Sequence, residues 1–417
     1  MTFWRQNIAI PPVLLHPRSL LESSDFGEHF LPDMTRRIHV KPFSTKSAHR
    51  EEIFREIEVA LSMTGFLWDN NTRTKWCLSV LVIMSLTAAH LYLLKCAINY
   101  ETLDFVLYGT RIAAASASCL VTAVRNERLN KVIKTLNEEA NNQLPQRRLT
   151  RIRMLCRVLT GASLTTVLGF FTPPTYITFF TNDRTRAPFF KRCVIYTEDL
   201  LFVVTIWYQL CFLPSLFVVI SHTTCELLST YNDSLPRLFS RPLGAGFSVS
   251  PLCHQLRAAR LRRDRIHKTF RECRSLYAPC LFFWYGMTFL GFCAELSAFT
   301  RQADSWVQRY YKILSCAHSW VTFWGVSLAA NFVYAEARKT WAVLQEASLR
   351  LPPAEHAADP TGELAMLKED VKEISLAFTI AGFYKLTLKA AFSVFSCMLT
   401  YAFVWYQIGP ASNTDRT

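Results

Sequence analysis

The sequence predicts an all-α integral membrane protein with seven transmembrane helices, its N-terminus cytoplasmic and its C-terminus extracellular. Three observations carry this. The 417 residues are 51% hydrophobic and 13% aromatic with only 19% charged, and mean hydropathy is positive, which is unusual for a soluble chain. Seven stretches reach the roughly 20 apolar residues that a 30 Å hydrocarbon core demands. Lys and Arg alternate between dense and sparse in the connections, 34 on one side against 7 on the other, so by the positive-inside rule the denser side is cytoplasmic.

In chain order, residues 1–75 form a cytoplasmic N-terminal segment. Its apolar start is broken by Pro11-Pro12 and shows no small-residue cleavage site, so no cleavable signal is expected. Within it, His49–Trp68 places Ile53, Ile57, Leu61 and Thr64 on one helical stripe and predicts an amphipathic helix beneath the membrane. The spans follow over 76–335 as Trp76–Ile98, Leu103–Val124, Leu155–Phe180, Leu200–Ser221, Leu276–Phe299 and Tyr311–Ala335. The second carries Arg111, and Pro173-Pro174 interrupts the third. Pro251–Ser275, with "RAARLRRDRIHK" at its centre, predicts a helix leading into the fifth span, with Leu252, Leu256, Ile266 and Phe270 as its apolar face. Two uses of that arginine run stay open, attraction to anionic lipid heads and contact with a neighbouring subunit. Residues 336–375 are a cytoplasmic connection in which Glu336–Leu349 extends the sixth span and Glu363–Ser375 leads into the seventh, Leu376–Ile408. Residues 409–417 are an extracellular tail.

Several functions are disfavoured. The net charge of +14 sits between apolar runs without a nucleic-acid fold motif, so no nucleic acid partner is expected. The 13 cysteines contain no CxxC and no Cys/His cluster at ligand spacing, so no metal site is predicted. Paired carboxylates, a Ser/His/Asp set, HExxH and a phosphate loop are all missing from credible contexts, so there are no catalytic residues, no cofactor and no enzyme. A G-protein-coupled receptor would have the opposite direction, and the Asp-Arg-Tyr and Asn-Pro-x-x-Tyr signatures do not occur. The sequons at Asn70 and Asn232 fall on the cytoplasmic side and are expected to be unmodified.

The last span is the most informative. At 100° per residue, Ser393, Ser396, Cys397, Thr400, Val404 and Gln407 fall within about 60° of one line. The opposite side carries Phe395, Met398, Leu399, Ala402, Trp405 and Tyr406. A polar stripe must face protein or water. Either small residues let helices pack closely while Gln407 bonds across to a neighbour, or copies of this helix surround an aqueous path. The stripe holds no charge, which suits a passive pore better than a proton-coupled carrier.

These residues resemble the C-terminal signature of arthropod gustatory receptors, related to the insect odorant receptors: Thr400-Tyr401, five apolar residues and Gln407, with Ile408 where Phe is usual. "AGFYKLT" (Ala381–Thr387), with Gly382 and Phe383, is similar to the stretch that opens the same helix in that family. The resemblance implies a ligand-gated cation channel of the plasma membrane. It implies a homotetramer, or a heterotetramer with related subunits. Four copies of the last span would line one pore, and cytoplasmic helical extensions would form an anchor domain. Gln407 and Ile408 would lie near the outer gate, with Val404, Thr400, Ser396 and Ser393 along the conduction path. A small-molecule tastant would bind among the outer halves of the second to sixth spans, where Arg111, Tyr176, Trp207, Glu295, Trp320 and Trp324 offer apolar faces and orienting charges. Mutual pairing of Arg111 and Glu295 as a structural ion bridge is the alternative use of these two. Permeating cations and membrane lipids complete the implied partners. An inverted metabotropic chemoreceptor and a membrane carrier are the competing functions.

Overall fold

The computed structural model describes residues 53–63, 110–111, 113–118, 120–121, 124–176, 189–239, 249–298, 306–350, 360–373 and 376–408. All lie within one compact unit, Glu51–Thr417. The first predicted span and half of the second fall outside the described residues.

The described elements are helices α1 (Arg55–Met63), α2 (Asn126–Gln143), α3 (Gln146–Tyr176), α4 (Phe189–Phe239), α5 (Val249–Ala298), α6 (Trp306–Arg350) and α7 (Pro360–Glu373). A two-stranded hairpin follows, β1 (Thr379–Ile380) and β2 (Tyr384–Lys385), and then helix α8 (Leu388–Ile408). Stretches of α3, α4, α5 and α6 are long and apolar enough to cross a membrane, and α8 supplies a shorter apolar helix, Leu388–Val404. Large apolar side chains on their outer faces, among them Leu164, Leu168, Phe282, Val321 and Phe332, are exposed, the surface a lipid-facing protein presents.

Several helices outrun a membrane. At 1.5 Å per residue, the 50 residues of α5 extend about 75 Å. The predicted apolar face of its N-terminal half is buried, with Leu252, Leu256, Ile266 and Phe270 all in the core. Ile53 and Ile57, from the stripe predicted around α1, are buried as well. The helix α2 was not expected from the polar segment it occupies, yet Leu129, Val132, Ile133, Leu136 and Ala140 form one buried stripe at helical spacing. Arg148 at the start of α3 clamps α4, donating to Glu226 Oε2 at 3.1 Å, Thr230 Oγ1 at 3.2 Å and Asp233 Oδ2 at 2.8 Å. Asn232 is buried, its Nδ2 donating to the Glu336 carbonyl at 2.9 Å and to Glu336 Oε1 at 3.1 Å. An amide so enclosed has no room for a glycan.

The seventh predicted span, Leu376–Ile408, is not one helix. Leu376, Ala377 and Phe378 run as buried extended chain. Phe378 inserts between α4 and α5, its ring 4.8 Å from Phe217 and 4.7 Å from Phe270. The hairpin then reverses the chain, pairing Thr379 with Lys385 and Ile380 with Tyr384. Its turn closes with Phe383 N–H on the Ile380 carbonyl at 3.0 Å and places Ala381 and Gly382 at φ of 49° and 83°. Two consecutive left-handed residues cannot continue a right-handed helix, so α7 ends before the hairpin and α8 starts anew. Its start is capped twice. Thr387 Oγ1 accepts the Ala390 N–H at 3.2 Å, and Asn331 Oδ1, reaching from α6, accepts the Leu388 N–H at 3.0 Å.

Candidate functional site

Three features draw the sequence-predicted residues together: the outer face of α8, a buried ion pair, and a cavity between α3, α4 and α6.

α8 lies against α5 and α6. Its packed line is Ala391, Met398 and Ala402, all buried and within about 20° of one direction. The small polar stripe points about 170° away from that line. Ser393, Ser396, Cys397, Thr400, Val404 and Gln407 are all exposed on the single chain. Bulky exposed residues flank it, Phe392, Leu399 and Phe403 on one side and Tyr401 on the other. The 21 residues of α8 span about 31 Å, one hydrocarbon thickness. Two hydroxyls on the stripe are satisfied within the helix, Ser393 on the Lys389 carbonyl at 3.1 Å and Thr400 on the Ser396 carbonyl at 2.9 Å. Gln407 carries the greater demand. An amide without a hydrogen-bond partner in hydrocarbon costs about 4–8 kcal/mol. Among the described residues, the stripe turns away from the rest of its own chain.

Arg111 and Glu295 pair directly in the buried interior. Glu295 is 1% exposed, and the carboxylate oxygen that meets Arg111 also accepts the Ser315 hydroxyl. Of the two roles open from sequence, mutual pairing is the one seen. Positions 184 residues apart are joined, tying the helical residues around 110–118 to α5 and α6. Trp284 Nε1 adds a second tie, donating to Ser118 Oγ at 2.9 Å.

The cavity, about 130 Å³, is lined by α3, α4 and α6. His318 sits on its wall, with Nε2 at 3.4 Å from Cys211 Sγ and 3.4 Å from Thr322 Oγ1. Phe170 meets the imidazole edge-on at 6.4 Å. Ser163 and Ser215 share a hydrogen bond of 2.8 Å, and Ser215 also donates to the Cys211 carbonyl at 2.8 Å. An apolar wall with a few converging polar groups is the usual make-up of a small-molecule site. Ser163, Ser215 and Thr322 give no signal in the sequence, because small hydroxyls in a span also serve as helix-packing residues.

Trp320 and Trp324 lie on the opposite side of α6 from His318. Trp320 meets Phe395 edge-on at 5.2 Å, and Trp324 meets Phe392 edge-on at 5.1 Å and Phe395 at a tilt at 5.8 Å, all on α8. The two indoles are thus contacts to α8 rather than cavity wall. The side chains of Tyr176, Trp207 and Ile408 fall outside the described residues. Gly382 and Phe383 form the hairpin turn, where Phe383 is 93% exposed, so this part of the motif starts α8 rather than lining anything within the protomer. Tyr401 packs at 5.7 Å on Phe289.

No protein-family model matches the chain, and no curated protein matches its sequence. Among solved structures it is similar to the insect olfactory receptor OR5 from Machilis hrabei. The TM-score is 0.67 for that receptor alone and 0.64 for its complex with eugenol. Each alignment covers 85% of this chain and 97% of that chain at 14% identity. A likeness of this extent at so low an identity establishes a shared fold.

Proposed function

We propose that the chain is a gustatory-type chemoreceptor, a ligand-gated cation channel of the plasma membrane in which four subunits place α8 around one pore. The observation that carries the proposal is the direction of the α8 stripe: small, uncharged, as long as a bilayer is thick, and facing away from its own protomer. Four such faces around an axis give Gln407 water or a neighbouring amide and leave Phe392, Leu399 and Phe403 for lipid or the next subunit. The fold shared with an insect olfactory receptor and the Thr400–Gln407 signature support the same assignment. Gln407 and Ile408 then stand at the outer gate. Four isoleucines can close a pore by dewetting, although they lack the ring that Phe supplies in the related signature.

Ligand enters the His318 cavity; Arg111, Tyr176, Trp207 and Glu295 are the further contacts that the sequence nominates. A small organic molecule, of the kind that eugenol represents for the related receptor, suits an apolar wall with hydroxyl and imidazole groups. α6 is the mechanical link. One face carries His318 and Thr322, the other carries Trp320 and Trp324 against α8, and Asn331 holds the first turn of α8 by hydrogen bond. A ligand that fits better when α6 has shifted moves α8 with it, and only that difference in affinity opens the gate.

The test is current recording from cells expressing this chain alone, during a ligand screen, in excised patches without nucleotide or G protein. Agonist-evoked cation current supports the proposal. Responses that vanish on excision favour an inverted metabotropic receptor instead. Gln407→Ala is expected to change conductance or basal opening while surface expression persists, and unchanged currents would remove Gln407 from the gate.

A further inference from the structure

The arginines of the α5 run, Arg257, Arg260, Arg262, Arg263 and Arg265, are spread around the helix rather than gathered on one face. Several of them hold other helices. Arg260 Nε donates to Asp370 Oδ2 of α7 at 2.7 Å, and Arg262 Nε donates to Gln143 Oε1 of α2 at 2.6 Å. Arg265 Nε lies 3.7 Å from Glu139 Oε1, also on α2. Arg263 differs from these. It stands seven residues after Leu256 and seven before Phe270, in the middle of the buried apolar stripe. It is 3% exposed. Its Nε has no hydrogen-bond partner, and the same holds for Arg262 Nη2 and for the hydroxyl of Tyr231, which lies in the field of both guanidiniums.

A buried guanidinium cannot shed its charge, so an unpartnered donor there is costly. Arg263 borders a cavity of about 350 Å³ between α5 and α7, lined also by Arg257, Arg260, Asp264, His267, Leu261, Leu367 and Asp370. Three arginines face two aspartates, and one aspartate is already engaged by Arg260. Burial, with Arg263 and Arg271 nearby, pushes the His267 pKa below its ordinary range, so the imidazole adds no further positive charge at neutral pH. The cavity therefore has an excess of positive donors, one of them buried and unmet, and room for a multiply charged anion.

We propose that this cavity between α5 and α7 binds a soluble phosphate-bearing anion, with Arg263 and Arg257 as its principal donors. Guanidinium forks match phosphate oxygens in geometry and charge. Distance separates a soluble ligand from a lipid headgroup. Arg263 precedes the start of the fifth span, Leu276, by 13 residues, about 20 Å along the helix. Headgroups reach only about 5–8 Å beyond the hydrocarbon. Occupancy would tie α7 to α5 just before the hairpin that starts α8. The inference stands apart from ion conduction, since binding is read without current.

The test uses the full-length chain purified in detergent, with inositol hexakisphosphate as probe in titration calorimetry. Saturable binding is expected. Arg263→Met, which replaces a buried charge with an apolar side chain of similar length, should keep a monodisperse chromatographic peak and weaken binding at least tenfold. Arg257→Gln, at an exposed position on the cavity rim, should also weaken it, and it guards against misfolding of the first variant. Raised salt should lower affinity. Absence of saturable binding overturns the proposal, as does unchanged affinity in both variants. Binding seen only to nanodiscs containing phosphatidylinositol 4,5-bisphosphate, and not to the soluble probe, overturns it in favour of the membrane.

Discussion

Removing one member of the Arg111–Glu295 pair should cost far more than removing both. The pair is buried, Glu295 being 1% exposed, and the Ser315 hydroxyl supports it. Breaking a buried pair on one side typically costs about 3–5 kcal/mol, while replacing both partners by apolar residues is often neutral. Each single variant leaves one buried partner without its counterpart. The expected order of stability is therefore wild type close to Arg111→Met/Glu295→Leu, then both single variants, Arg111→Met and Glu295→Gln. The assay is the fraction of full-length chain eluting as a monodisperse peak after stepped heating in detergent. A loss of 3 kcal/mol corresponds to more than about 100-fold in the folded-to-unfolded ratio, well within its reach. If the double variant loses the sum of the two single losses, the pair is not coupled and its role in joining the 110–118 segment to α5 and α6 is wrong.

Phe378→Ala should lower stability by about 3–5 kcal/mol, visible as loss of surface protein, because its ring fills the contact between Phe217 and Phe270. Gly382→Val should cost about 1–2 kcal/mol through its left-handed φ rather than through a clash, since nothing lies within 4 Å of an added Cβ; Gly382→Asn should be tolerated in the same melting assay. Asn331→Leu leaves the Leu388 N–H without its acceptor and should cost about 1–3 kcal/mol, read as a changed basal current in recordings at matched surface expression. Trp324→Ala should raise the agonist concentration needed for half-maximal current without altering single-channel conductance, because it touches the inner flank of α8 and not the stripe.

The parts of this fold that sequence reveals are those written locally. The apolar runs that became α3, α4, α5 and α6 are long enough to be read by length alone, and the buried face of Leu252, Leu256, Ile266 and Phe270 shows in its spacing. α2 escaped notice because its polar residues outnumber its buried stripe. The hairpin was hidden inside a mostly apolar stretch that Lys385 and Lys389 interrupt, and Ala381 gives little warning of a left-handed conformation. Thr387 and Asn331 show why a motif can be recognised before its role is understood: one caps α8 from within the motif, the other from α6. The face that Trp320 and Trp324 present depends on where α8 lies, which no property of α6 alone reveals. Arg111 and Glu295 could be nominated from sequence as ligand contacts or as a pair; the choice between the two is a tertiary fact.

Accessibility of α8 to a water-soluble thiol reagent during recording tests the central claim most directly. Cys397 already lies exposed on the stripe, so the measurement begins from Cys397→Ala and introduces cysteine singly at 392, 393, 396, 399, 400, 403, 404 and 407. A shared aqueous conduit predicts that a charged methanethiosulfonate alters current at Ser393, Ser396, Thr400, Val404 and Gln407, faster with agonist present, while Phe392, Leu399 and Phe403 stay silent. Silence along the whole stripe in functioning channels, or reaction confined to the bulky flank, would contradict the account.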